Sequence, residues 1–91
     1  MLDEKKLLSD RQRIISALTA ARIEKGLSQQ SLADMIGTKR SNICRLEAGR
    51  QNISLDTLLK ISAALRKDVS FILNEKNEEM DNDITSITHT K

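Results

Sequence analysis

From about Asp10 onward, hydrophobic positions recur at helical spacing. Ile14, Ile15, Leu18 and Ala21, with Ile23 near the end, fall three and four residues apart. That beat predicts one buried face of a first helix. Gly26 stops it as a left-handed cap, with Lys25 in the last turn. Residues 1–9 are polar with a few leucines and read as a frayed lead-in. Ser28 then reads as an N-cap, and Leu27 and Leu32 are spaced as a hydrophobic staple. A second helix over about Gln29–Ile36 buries Leu32, Ala33 and Ile36 and ends at Gly37. A third runs from about Lys39 to Ala48, before Gly49. Ser54 caps a fourth, with Asp56 in its first turn and Leu55, Leu58, Leu59, Ser62 and Leu65 as its core face. In the stretch 68–73, Asp68 caps a short fifth helix burying Val69, Ile72 and Leu73. The alternation of Val69, Phe71 and Leu73 also fits a strand; the helix is preferred.

After Asn74 the periodicity is lost. EKNEEMDNDITSITHTK is charged and small-polar, and reads as an acidic tail that stays disordered unless a partner orders it. The organisation expected is therefore a lead-in over 1–9, one domain over 10–74 and a flexible tail over 75–91.

Composition narrows the fold class. The chain has 91 residues, three glycines, no proline and one aromatic residue, Phe71. Leu, Ile, Ala, Lys, Arg and Glu are plentiful, which favours a small all-α bundle over a sheet. One cysteine, Cys44, excludes an intramolecular disulfide framework. No apolar run approaches the roughly 20 residues of a membrane span, and the N-terminus lacks a signal-peptide core. A cytoplasmic protein is the expectation. The net charge of +2 hides an asymmetry. Residues 1–74 carry 13 Lys/Arg against 8 Asp/Glu, giving +5, whereas residues 75–91 carry 2 against 5, giving −3. A basic body suits a polyanionic ligand.

The third helix carries the most chemistry. At about 100° per residue, Ile43 and Leu46 share one side, bordered by Asn42 and Glu47. Arg40, Ser41, Cys44 and Arg45 occupy the opposite arc, with Lys39 near the N-terminal end. So thin an apolar anchor leaves a wide outer face for a ligand. Gln29 and Ser28 lie at the start of the second helix, where free N–H groups and the dipole suit a phosphate.

The register Gln29-x3-Ala33-x3-Gly37-x5-Ile43-x2-Leu46 resembles the helix-turn-helix of the phage repressor/Cro family, also called Xre-type. GLSQQSLADMIGTKRSNICRLEAG matches it nearly throughout, and SLDTLLKISAAL resembles the family's fourth helix. The likeness covers about residues 11–73. It implies a five-helix repressor-like bundle, a homodimer, and double-stranded DNA as partner, with the third helix in the major groove. By position it implies that Lys39, Arg40, Ser41, Asn42 and Arg45 face the groove and that Gln29 meets a phosphate. It also implies an ion pair between Arg22 and Glu47. Phe71 and Ile72 are either core or dimer interface. Lys39 stands where the family has a small hydroxyl cap, so the cap moves to Thr38 or Lys39 is left for phosphate. Arg66-Lys67 stands where the family has glycine and a hydrophobe.

The function expected is a sequence-specific transcriptional regulator reading a palindromic operator. The alternative is an antitoxin that neutralises a protein partner and autoregulates, through the tail or through a strand at 68–73. No paired acid and base or nucleophile constellation points to an enzyme. Neither a cofactor nor a metal is expected: His89 is a lone histidine without co-ligands. Cys44 reads as a small neutral side chain at the interface rather than a redox switch.

Overall fold

The structure, a computed structural model, describes residues 2–74. Five helices follow in order: α1 Glu4–Glu24, α2 Gln29–Ile36, α3 Arg40–Glu47, α4 Leu55–Ala64 and α5 Val69–Leu73. The architecture is an all-α five-helix bundle containing a helix-turn-helix. The expectations for the tail over 75–91, His89 included, lie outside the described residues.

Local chemistry sets the helix starts. Ser28 accepts from the Ser31 amide at 2.9 Å, and Ser54 from the Thr57 amide at 3.1 Å. Asp68 accepts from the Ser70 amide at 2.8 Å and settles residues 69–73 as helix, not strand. The hydroxyl of Ser70 also donates to Asp68, and these two bonds, the hydroxyl's first, hold its carboxyl below the ordinary value of 3.8. The lead-in over residues 1–9 is corrected: α1 begins at Glu4, because Asp3 accepts from the Lys5 and Lys6 amides. A Lys6–Asp10 ion pair at 3.1 Å supports that first stretch. Leu7 and Leu8 in it are exposed.

The ends of the first four helices share one device. A residue one or two past the last helical one swings left-handed, and two backbone N–H groups reach back to the final carbonyls. At α2, Gly37 has φ 75°, with Gly37 N–H on Asp34 O and Thr38 N–H on Ala33 O. Gly26 and Gly49 serve α1 and α3 in the same way. At α4 the left-handed residue is Arg66, φ 56°, with Arg66 N–H on Ala63 O and Lys67 N–H on Ser62 O. An arginine thus occupies the backbone conformation that glycine adopts without a Cβ penalty.

The core joins Ala17, Leu18 and Ala21 of α1, Leu32 and Ala33 of α2, Ile43 and Leu46 of α3, Leu58, Ile61 and Leu65 around α4, and Ile72 of α5. Ile15 is buried as well, while Ile23 is exposed. Two expectations for the apolar faces are corrected. Leu55 and Leu59 are 68% and 44% exposed, because the inward face of α4 is Leu58, Ile61, Ser62 and Leu65, one step round the helix. Leu73 is also exposed. No helix among the described residues is long and apolar enough to cross a membrane.

Candidate nucleic-acid interface

Among the described residues, α2 and α3 share the most extensive contact of any helix pair. Ala33 is completely buried, and its small side chain lets the two helices approach. The left-handed Gly37 turns the chain sharply, and Lys39 follows in extended geometry as the residue before α3. No side chain caps α3. The Thr38 hydroxyl instead accepts from Asn42 Nδ2 at 2.7 Å.

With Ile43 and Leu46 buried, one broad side of α3 points away from the bundle. Lys39, Arg40, Ser41, Cys44 and Arg45 are all exposed, so five of the outer residues named from sequence share one accessible surface. Arg50, in the loop that follows, is exposed too. Asn42 differs: it is half-buried and engaged at both ends of its amide, to Thr38 Oγ1 and from Arg45 Nη2. Arg45 Nε donates to Gln51 Oε1 at 3.0 Å. Gln51 was not legible as a partner, since nothing local in the sequence pairs it with Arg45.

Behind this surface lies a charged cluster. Arg22 Nε and Nη2 donate to the two Glu47 carboxylate oxygens at 2.7 and 2.9 Å, and Nη1 donates to Leu27 O at 2.6 Å. The two side chains are 11% and 13% exposed. Such a two-pronged, charge-assisted contact fixes orientation as well as distance. It ties the last turn of α3 to α1 and to the loop ahead of α2. Gln29 joins it, with Nε2 donating to Glu47 Oε1 at 3.0 Å. In this structure the Gln29 amide therefore buttresses α3 instead of standing free at the start of α2.

Phe71 and Ile72 separate. Ile72 is 1% exposed and belongs to the core. Phe71 is 50% exposed, with the Lys67 ammonium 4.4 Å from its ring centroid. Among the described residues, no group of three or more His, Cys, Asp or Glu is arranged to hold a metal.

Two helices joined by a left-handed glycine turn, the second anchored by a pair of buried aliphatics and otherwise facing outward, define a helix-turn-helix protein. The helix-turn-helix family model matches residues 18–72, and the chain belongs to that family. An uncharacterized HTH-type transcriptional regulator of Haemophilus influenzae is 40% identical over 65 residues, 70% of this chain and 66% of that protein. The SPbeta prophage-derived uncharacterized HTH-type transcriptional regulator YonR of Bacillus subtilis is 35% identical over 66 residues, 72% of this chain and 61% of that protein. The match thus spans somewhat less than two thirds of each relative. Among solved structures, the restriction-modification controller protein C.AhdI of Aeromonas hydrophila is similar at a TM-score of 0.66 and 34% identity. That similarity covers 70% of this chain and 97% of the controller.

Proposed function

We propose that this chain is a DNA-binding transcriptional regulator of the repressor/Cro (Xre-type) class that lays α3 in the major groove. One observation carries the reading: Arg40, Ser41, Cys44 and Arg45 are exposed together while Ile43 and Leu46 anchor their helix from behind. An α-helix fits the major groove, and arginine is the residue that most often reads guanine there, through O6 and N7. Lys39 and Arg50 flank the outer face and supply phosphate contacts, which add affinity and register without sequence information. The +5 charge of residues 1–74 favours encounter with the polyanion. The relatives, transcriptional regulators and a restriction-modification controller, agree with this reading.

The working form is a homodimer. Leu55 and Leu59 on α4 and Phe71 and Leu73 on α5 leave apolar side chains exposed on the two C-terminal helices. Pairing of two copies there covers that surface and presents two α3 helices, about 34 Å apart, to successive major grooves. The operator is then a palindrome. The antitoxin alternative loses one of its two supports, because residues 69–73 are helical.

Selection of binding sites from random duplexes with the purified protein tests the proposal. An enriched palindrome with half-sites one helical turn apart is the expected result. Leu59→Asp should shift the protein toward monomer in sedimentation and weaken operator binding. Equal affinity for every duplex, with no enriched sequence, refutes the sequence-specific role.

A further inference from the structure

Along the outer side of α3 runs a hydrogen-bonded chain: Thr38, Asn42, Arg45, Gln51. Asn42 Nδ2 donates to Thr38 Oγ1 at 2.7 Å, Arg45 Nη2 donates to Asn42 Oδ1, and Arg45 Nε donates to Gln51 Oε1 at 3.0 Å. A guanidinium has only donors, so both amides must turn their oxygens toward it. Asn42 is thereby oriented, and its nitrogen falls on the Thr38 hydroxyl. Adenine recognition by asparagine requires its amide oxygen and nitrogen together. Each already holds one partner, Thr38 on the nitrogen and Arg45 on the oxygen, which turns the amide to a supporting role and leaves Arg45 as the reader.

The guanidinium is held along its Nε–Nη2 edge. Of its five N–H groups two are taken, and three remain, on Nη1 and Nη2. Nη1 and Nη2 form the end of the fork, the paired donors that match O6 and N7 of guanine. Arg45 is exposed, and an unsupported arginine on a surface loses many rotamers when it binds. A contact to phosphate tolerates that freedom, whereas a base edge demands one orientation.

We propose that Gln51 and Asn42 are positioning residues that hold Arg45 in a guanine-reading orientation before DNA arrives, and so set specificity at the base Arg45 meets. The proposal rests on the reading of α3 as the groove helix. It extends base selection to Gln51, a residue outside α3, with Thr38 as the anchor of the chain.

Parallel selections from random duplexes with the wild-type protein, Arg45→Ala, Gln51→Ala and Gln51→Glu provide the test, alongside thermal melts of each. The wild type should show a guanine column that Arg45→Ala abolishes. Gln51→Ala should retain the rest of the motif and the melting temperature while lowering the guanine preference in that column about 2- to 10-fold, the entropy of one released side chain. Gln51→Glu should restore it, because a carboxylate accepts the same Nε–H. An Arg45-dependent guanine column left intact by Gln51→Ala overturns the positioning role. So does a uniform loss across all columns with a lowered melting temperature, which marks a merely structural loop residue. A column that depends on Arg45 but reads another base overturns the guanine assignment. No enriched motif with the wild type defeats the groove-helix reading itself, a different failure from either of these.

Discussion

Replacing Glu47 with leucine removes the anchor that joins α3 to α1. The substitution strips Arg22 of two charge-assisted bonds, at 2.7 and 2.9 Å, and Gln29 of one at 3.0 Å. Arg22 keeps only Leu27 O. Breaking a buried pair by deleting one partner costs about 3–5 kcal/mol, because the other charge is left without compensation. The side chains here retain 11% and 13% exposure, so the low end applies, about 3 kcal/mol. A domain of this size has a total stability of roughly 4–11 kcal/mol, at about 0.05–0.15 kcal/mol per residue. The expected fall in melting temperature is about 12–24 °C, at roughly 4–8 °C per kcal/mol. Thermal melts followed by circular dichroism measure that shift and urea titrations the free energy, in a cycle of wild type, Glu47→Leu, Arg22→Met and the double variant. Apolar replacement of both partners is often near neutral, so the double variant should be more stable than Glu47→Leu alone. If each single variant costs below about 1 kcal/mol and the double is their sum, the pair is an ordinary surface contact and the reasoning fails.

Arg66→Gly should stabilise the protein by about 0.5–1 kcal/mol: relief of a left-handed Cβ, roughly 1–2 kcal/mol, exceeds the added freedom of glycine in the unfolded chain; chemical denaturation measures the sign. Ser62 is buried with its hydroxyl lacking a partner among the described residues, so Ser62→Ala should raise stability by about 1 kcal/mol in the same assay. Asp68 has its carboxyl pKa depressed by Ser70, so its contribution is full above the unfolded value of 3.8 and is lost as pH falls through the lower folded value. Acid titration of stability should therefore show a component below about pH 3.8 that Asp68→Asn lacks.

The parts of this fold that are legible in the sequence are those set by chemistry within a few residues. Ser28 and Ser54 announce the starts of α2 and α4, and Gly37 and Gly49 the ends of α2 and α3. The outer face of α3 follows from two buried aliphatics and helical spacing. The start of α1 escapes because its first turns are exposed: Leu7 and Leu8 lie outside the core, and the signal is the Asp3 cap. The face of α4 is misjudged at Leu55 and Leu59 because five aliphatics and a serine fit two adjacent registers, and only packing against α2 and α5 chooses between them. Ile72 and Phe71 are neighbours in sequence with opposite fates, decided by contact of α5 with α1 and α4. Gln29 takes a partner 18 residues along the chain, Glu47, and Gln51 reaches back across the Gly49 turn to Arg45; no helical or capping pattern carries either pairing.

Cys44 offers the most direct test of the account. It is the chain's one cysteine and lies exposed on the outer side of α3 between Arg40 and Arg45. The rate of its alkylation by a maleimide reports access to that surface with no change in the protein. Saturation with the selected duplex should slow the reaction strongly, and a duplex of unrelated sequence at the same concentration should protect far less. An alkylation rate unchanged by saturating selected DNA would place the duplex elsewhere and contradict a groove-bound α3.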